Sequence, residues 1–218
     1  SAGFNAATTS GQATSLGAST VSTDYGTAVG FGANSSRYGV ALGASTVTTG
    51  AGGAVALGYS ADALNYRAIA IGDEANSSFR GSIALGAGAT ATAGRQFVVG
   101  HANVAQTGFD DVNDVYIGNG VVSSAPSDVT YNATGGTGTD IAGANLIMAG
   151  GRSTGSANGG SVIFKTSGTN ASGTATNALS EKMRITSSGN VGIGTNAPTA
   201  SLNVLTSGGK HVLIGGGA

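Results

Sequence analysis

The sequence predicts an all-β chain: a parallel β-solenoid built into a multi-chain fibre and continued by a second β-rich segment. Three observations predict it. Glycine supplies 40 of 218 residues, far above the usual share of about 7%. Charged residues make up only 9%, against about 25% in ordinary soluble domains. A short apolar motif ending in glycine recurs along the first hundred residues, and fixed-period self-similarity is the mark of repeat architectures.

Composition removes several classes. There is no strict Gly-X-Y period and only 2 Pro, so collagen is excluded. Low charge with a mildly positive mean hydropathy is opposite to the disordered signature. The net charge of −1 makes no electrostatic case for nucleic acid or an anionic membrane. The absence of Cys removes disulfides and thiolate metal sites. No run of 18 apolar residues occurs, so no transmembrane helix or membrane insertion is expected. The N-terminal SAGFNAATTS lacks the charged and apolar regions of a signal peptide. The expectation is export by another route, or an internal fragment of a longer chain, and the ending HVLIGGGA points the same way.

The repeat comes first along the chain. Its copies are Ala28-Val29-Gly30-Phe31-Gly32, Gly39-Val40-Ala41-Leu42-Gly43, Ala54-Val55-Ala56-Leu57-Gly58, Ala68-Ile69-Ala70-Ile71-Gly72 and Ser82-Ile83-Ala84-Leu85-Gly86. Gln96-Phe97-Val98-Val99-Gly100 is weaker, and Ser15-Leu16-Gly17 is a degenerate first copy. The closing glycines fall at 17, 32, 43, 58, 72, 86 and 100. The period settles at fourteen after an irregular eleven-residue interval between Gly32 and Gly43.

Within a copy, large and small apolar residues alternate, which is the period of a β-strand. After the glycine comes a tight turn and then a more polar strand, such as Asp62-Ala63-Leu64 or Thr90-Ala91-Thr92. Each unit therefore reads as strand, glycine turn, short strand and return loop. Seven coils stacked at roughly 4.8 Å would make a rod of about 30–35 Å. The strands are apolar on both faces, Val/Ile/Leu on one and Ala on the other, so both faces need cover. The opposite wall of the coil covers one. Sister chains around an axis are expected to cover the other, with Ala permitting their close approach. This predicts an obligate oligomer.

The Ala68–Gly72 and Ser82–Gly86 cores resemble the head repeat of trimeric autotransporter adhesins, the YadA-like head. The resemblance covers about residues 12–106 and implies a left-handed parallel β-roll that is a homotrimer.

After residue 106 the rhythm stops. Strands are expected at Asp114-Val115-Tyr116-Ile117-Gly118, Ala144–Gly150 and Gly160–Lys165, separated by Gly/Ser/Thr-rich stretches. Ser187-Ser188-Gly189-Asn190, between two apolar runs, is a hairpin turn signal. The segment Glu181–Thr195, with Pro198 and Leu202-Asn203-Val204, is similar to one found in bacteriophage tail fibres. There it precedes an endosialidase-type intramolecular chaperone. Gly143–Gly151 and Gly159–Thr166 resemble the same fibres, so the likeness covers roughly residues 110–205. The self-cleavage residues of that family belong to the chaperone, and none is implied here. The expected organisation is a β-roll over 1–106, an intertwined β fibre segment over 107–180 and a C-terminal hairpin segment over 181–218.

Catalysis needs clustered, environment-tuned groups. The two histidines, His101 and His211, are far apart, and His101 reads as a surface turn residue. Asp110-Asp111-Val112-Asn113-Asp114 lacks the Gly and distal Glu of a calcium loop. It reads as a solvated turn, with a cation held between chains as the alternative. Gly192-Ile193-Gly194 lacks the lysine and helix of a phosphate loop. A polysaccharide-degrading enzyme would need paired carboxylates in a groove, and Asp73-Glu74 is a turn. No catalytic residue, metal or cofactor is expected.

One constellation invites a binding role. Arg37, Arg67, Arg80 and Arg95 lie 6, 5, 6 and 5 places before their glycines, so stacked coils would bring them to one coil position as a ladder. Tyr38, Tyr66 and Phe79 adjoin three of them. Arginine forks bind carboxylates and phosphates, and aromatics stack on sugars, so Arg37, Arg67, Arg80, Arg95, Tyr38 and Tyr66 are candidates for an acidic-glycan groove. Pairing with Asp62, Asp73 or Glu74 of neighbouring chains, or simple solvation, is the plainer explanation. The expected role is a structural and adhesive tail-fibre segment on the outside of a virion. Its partners would be a host glycan or protein receptor and other tail proteins. The alternative is the passenger head of a bacterial adhesin on an outer surface.

Overall fold

A computed structural model describes residues 2–49, 52–100, 114–117, 122–169 and 172–205. Among them there is no helix, and the chain divides into two units, residues 1–127 and 128–218.

The first unit is a parallel β-solenoid. In chain order its strands are β1 (Ala7–Thr8), β2 (Thr14–Leu16), β3 (Val21–Ser22), β4 (Thr27–Val29), β5 (Asn34–Ser35), β6 (Val40–Leu42) and β7 (Val47–Thr48). Next come β8 (Val55–Leu57), β9 (Asp62–Ala63), β10 (Ile69–Ile71), β11 (Asn76–Ser77), β12 (Ile83–Leu85), β13 (Thr90–Ala91) and β14 (Phe97–Val99). Even-numbered strands form one seven-stranded sheet and odd-numbered strands another. Every pairing is parallel, so each coil adds one three-residue and one two-residue strand to the stack. This is the unit of strand, turn, short strand and return loop that the repeat predicts.

Register corrects the phase of the early coils. Val29 pairs with Leu42 and Leu16 with Val29. The glycine that closes the second motif is therefore Gly30, not Gly32. The equivalent glycines are 3, 17, 30, 43, 58, 72, 86 and 100, with φ between 121° and 136°. Their intervals are 14, 13, 13, 15, 14, 14 and 14, so the apparent eleven-residue coil disappears. Gly32 sits two places further on, at φ 65°. It occupies the left-handed corner that Ser45, Ser60 and Glu74 occupy in later coils.

The equivalent glycines are required for two reasons. Their φ lies where an L side chain is strained. A Cβ on Gly17, Gly30, Gly43, Gly58 or Gly72 would also collide with the carbonyl oxygen of the equivalent glycine one coil further on.

The second correction concerns the faces. Ala28, Ala41, Ala56, Ala70 and Ala84 of the even-numbered strands are fully buried between the two sheets. Val29, Val40, Leu42, Val55, Leu57, Ile69, Ile71, Ile83 and Leu85 point outward. Alanine thus packs against the coil's own opposite wall rather than against sister chains. The reason is volume. Facing Ala28–Ala84 across the coil are Ser22, Ser35, Thr48, Ala63, Ser77 and Ala91. Further interior columns are Thr20, Ala33, Thr46, Ala61, Ala75 and Ala89, and Gly26, Gly39, Ala54, Ala68 and Ser82. The largest fully buried side chain is threonine, so the coil is too thin for leucine. Packing is complementary within this limit. A Cβ on Gly39 would approach Thr48 Oγ1 to 2.5 Å, whereas the equivalent Ala54 belongs to a coil whose second strand carries Ala63.

Buried hydroxyls are satisfied locally, as buried polar groups require. Ser35 Oγ donates to the Gly39 carbonyl at 2.7 Å, Ser77 Oγ to the Ser82 carbonyl at 2.9 Å and Thr46 Oγ1 to the Gly43 carbonyl at 3.2 Å. The exceptions are Ser10 Oγ and Ser22 Oγ, which find no hydrogen-bond partner among the described residues.

The outer column of the odd-numbered strands is mixed: Val21, Asn34, Val47, Asp62, Asn76 and Thr90. Asp62 lies between Val47 and Asn76, and partial burial raises its carboxyl above the usual pKa. A carboxyl whose folded pKa exceeds the unfolded one favours folding when protonated. That advantage is present below the unfolded value and lost as pH rises through the folded value. Asp62→Asn, which matches Asn34 and Asn76 in the column, is therefore expected to raise the melting temperature at pH 7. The gain should vanish near pH 3, as followed by circular dichroism.

In the second unit, β15 (Val162–Ser167) and β16 (Leu179–Ile185) pair antiparallel with a bulge between Phe164 and Lys165. β17 (Val191–Ile193) pairs antiparallel with β16, and β18 (Leu202–Val204) pairs parallel with β17. The predicted hairpin is present. Thr186 N–H donates to the Asn190 carbonyl at 2.9 Å, and Gly189 takes φ 85°. Glu181 accepts two hydrogen bonds from Arg184, at 2.6 and 2.7 Å, which hold its carboxyl below the usual carboxylate range.

The strand expected over Gly160–Lys165 is present as β15. Those expected at 114–118 and 144–150 are not strands over the described residues 114–117 and 144–150. A strand exists through a ladder of hydrogen bonds, and among the described residues these segments build none: the Ala144 N–H donates to the Thr134 carbonyl at 2.9 Å, but no ladder extends from it. Their apolar side chains stay uncovered, with Ile147 82% exposed.

Candidate functional site

The return loops of the solenoid form one edge, and the sequence dictates how they do so. Tyr25, Tyr38, Arg67 and Arg95 take φ of 56–61°, the left-handed turn that precedes the next strand, and Gly53 and Gly81 fill the same position at 73° and 65°. The backbone confirms the stacking. Tyr38 N–H donates to Asp24, Arg67 to Gly52, Gly81 to Tyr66 and Arg95 to Arg80, at 3.0–3.2 Å. Asn65 Oδ1 accepts from Tyr66 N–H at 2.8 Å and Gln96 Oε1 from Thr92 N–H at 2.8 Å, which fixes two of the loops.

The four arginines share this edge but not one position. Arg67 and Arg95 sit at the left-handed residue, while Arg37 and Arg80 sit one residue before it. Neighbouring coils thus offset their cations: Arg67, Arg80 and Arg95 lie in return loops of equal length but at different places within them. All four are exposed.

The tyrosines serve the arginines. The Arg37 guanidinium lies 4.9 Å from the centre of the Tyr38 ring, and Arg67 lies 4.9 Å and Arg80 5.4 Å from that of Tyr66. Tyr25 stacks on Tyr38, centroids 5.1 Å apart and planes 15° from parallel. Arg37 also donates to the Tyr38 hydroxyl at 3.3 Å. Stacking of this kind holds the planar cation by the ring quadrupole and leaves in-plane N–H groups available, apart from the one Arg37 gives to Tyr38.

Tyr38 and Tyr66, expected as sugar-stacking platforms, have guanidinium groups against their rings, and Tyr38 has Tyr25 as well. Between the two aromatic–cation pairs is a groove of about 390 Å³ lined by Arg37, Tyr38, Gly52, Gly53, Tyr66 and Arg67. Gly52 and Gly53 make its floor, and a Cβ on Gly52 would meet the Tyr66 ring at 3.0 Å.

Sequence reasoning missed Tyr25 and the Gly52–Gly53 floor. The repeat of Tyr25-Gly26 as Tyr38-Gly39, thirteen residues later, was the available signal for the first. No ion pair joins these arginines to Asp62 or Asp73, and the ion pair found among the described residues is Glu181–Arg184.

The even-numbered sheet offers a second candidate surface. Its outward columns are Thr14, Thr27, Val40, Val55, Ile69, Ile83 and Phe97, and Leu16, Val29, Leu42, Leu57, Ile71, Leu85 and Val99. No charged residue interrupts either column, and Leu57 is 42% and Phe97 66% exposed.

Among the described residues no three His, Cys, Asp or Glu come together as a metal site, and no helix is long and apolar enough to cross a membrane. His101, His211 and Asp110–Asn113 lie outside the described residues. Comparison with known proteins found no matching family model, no matching curated protein and no matching solved structure.

Proposed function

We propose that the chain is a structural and adhesive segment of a homotrimeric fibre, of the bacteriophage tail-fibre type, that reaches toward a bacterial host and helps bind its surface. The observation that carries this reading is the uncharged aliphatic face of the even-numbered sheet. Contiguous apolar patches of this kind on a soluble protein mark contact surfaces, and a flat, regular one suits association between copies. The alanine-sized interior strengthens the argument. A coil so thin buries little apolar area of its own, and hydrophobic stabilisation scales with that area. The unpaired apolar runs around Ile141 and Leu146–Met148 in the second unit call for neighbours in the same way.

Threefold symmetry comes from the likeness of the repeat to adhesin heads, and the phage assignment from the likeness of the C-terminal half to tail fibres. The reading assigns the chain no catalysis. Its partners are two further copies, other tail proteins and a host glycan or protein. A bacterial adhesin head shares the same physics; a coiled-coil stalk and membrane anchor encoded downstream would favour it.

Native mass spectrometry at low micromolar concentration tests the assembly. A species of three times the 20.7 kDa chain mass is expected, and a stable, well-folded monomer would overturn the reading.

A further inference from the structure

We propose that the return-loop edge of the solenoid is a binding site for a linear polysaccharide bearing carboxylates, anchored in the groove between Arg37-Tyr38 and Tyr66-Arg67. The inference rests on reading the chain as a surface-binding fibre and names the chemistry that the fibre meets.

Three features carry it. First, Arg67, Arg80 and Arg95 stand on successive coils, roughly 4.8 Å apart by strand spacing. Neighbouring like charges repel even when offset, and no ion pair between these three and Asp62 or Asp73 is found among the described residues. An external anion would relieve the repulsion. Second, Tyr38 and Tyr66 hold their guanidinium groups against the rings. The N–H forks are then pre-organised, which reduces the ordering cost of binding, and each fork fits a carboxylate bidentately. Third, the described residues that line the groove between Arg37-Tyr38 and Tyr66-Arg67 are Gly52 and Gly53, which carry no side chain. Arg37 and Arg67 lie two coils apart, roughly 10 Å on the same spacing. A sugar ring can lie over the glycine floor while its carboxylates meet the flanking cations.

The same features disfavour nucleic acid. Single strands bind through bases stacked on open aromatic faces, and guanidinium groups and Tyr25 lie against the faces here. Neutral glycans that bind by stacking are disfavoured for the same reason. Anion recognition, not aromatic stacking, sets specificity.

Calorimetry on the full chain tests the proposal with five probes: oligogalacturonate, its methyl ester, oligosialate, dextran and oligothymidylate. Binding of at least one of the two acidic oligosaccharides is expected, with none of the ester or dextran. Affinity should fall as NaCl rises, because exposed charges are screened. Arg37→Glu and Arg80→Glu should each weaken binding by about tenfold or more, the loss of a charge-assisted contact, with the native mass unchanged. Tyr66→Leu should weaken it as well, and Tyr66→Phe, which keeps a ring under Arg67 and Arg80, should not.

No binding of either acidic oligosaccharide would overturn the proposal. So would equal binding of acid and ester, or tighter binding of oligothymidylate. Dissociation of the oligomer by Arg80→Glu would overturn it too, because the arginines would then belong to an interface between chains. The fibre reading fails separately, if the unmodified chain is a monomer, whether or not it binds sugar.

Discussion

Gly58→Ala is expected to abolish the folded solenoid. Gly58 has φ 136°, which strains any residue with a Cβ. The added methyl would also run into the Gly72 carbonyl of the next coil. Neither group can move away. Gly58 N–H donates to the Leu42 carbonyl at 3.0 Å and Gly72 N–H to the Leu57 carbonyl at 2.8 Å, so relief would break the ladder on both sides. Backbone strain of about 1–3 kcal/mol and overpacking of about 1–3 kcal/mol together reach a large part of the 5–15 kcal/mol that stabilises a typical domain.

In a solenoid each coil touches only its neighbours, so a break in the middle leaves two short stacks rather than one local defect. Thermal melts by circular dichroism should show loss of the cooperative transition. Gly11→Ala is the control: its added Cβ meets nothing within 4 Å, and it should melt like the unmodified chain. If both variants melt alike, the account of the glycine ladder is wrong.

A charge on the aliphatic face should separate the copies without unfolding the coil. Ile71 points out of β10, between Leu57 and Leu85. On a solitary chain, Ile71→Asp changes a surface residue, and such changes usually stay within about 0.5 kcal/mol. Between copies it would place an unpaired carboxylate in an apolar contact once per chain. Burying such a group costs several kcal/mol or forces its neutralisation. On the proposed trimeric assembly, sedimentation velocity should therefore show the variant as a monomer and the unmodified chain as a trimer. Asn76→Asp, on the opposite sheet, should leave assembly intact. Retention of the trimer by Ile71→Asp would show that this face is not the contact.

Much of the solenoid was legible in the residues themselves. Alternation in Val55-Ala56-Leu57 or Ile69-Ala70-Ile71 sets a strand, and glycines at 43, 58, 72, 86 and 100 set its end. The hairpin at Ser187–Asn190 was equally clear, because its turn needs glycine at positive φ and the flanking runs are apolar. The phase at Gly30 was not. Gly30 follows Val29 and Gly32 follows Phe31, both apolar, and only the pairing of Val29 with Leu42 selects between them. The arginine edge was half legible. Arginine spacing placed the four cations on one edge. Their offset was already present in the 6, 5, 6 and 5 spacing, whereas the tyrosines lying against them depend on loop conformation that spacing does not encode.

By itself, the sequence determined that this chain coils, where each coil turns and which residues alternate, because backbone sterics and side-chain period act within a few residues. Only the tertiary structure decided which apolar face goes inside. The gap between two sheets joined by such short turns admits nothing larger than threonine, so alanine fills it and Val, Ile and Leu are left on the outer face.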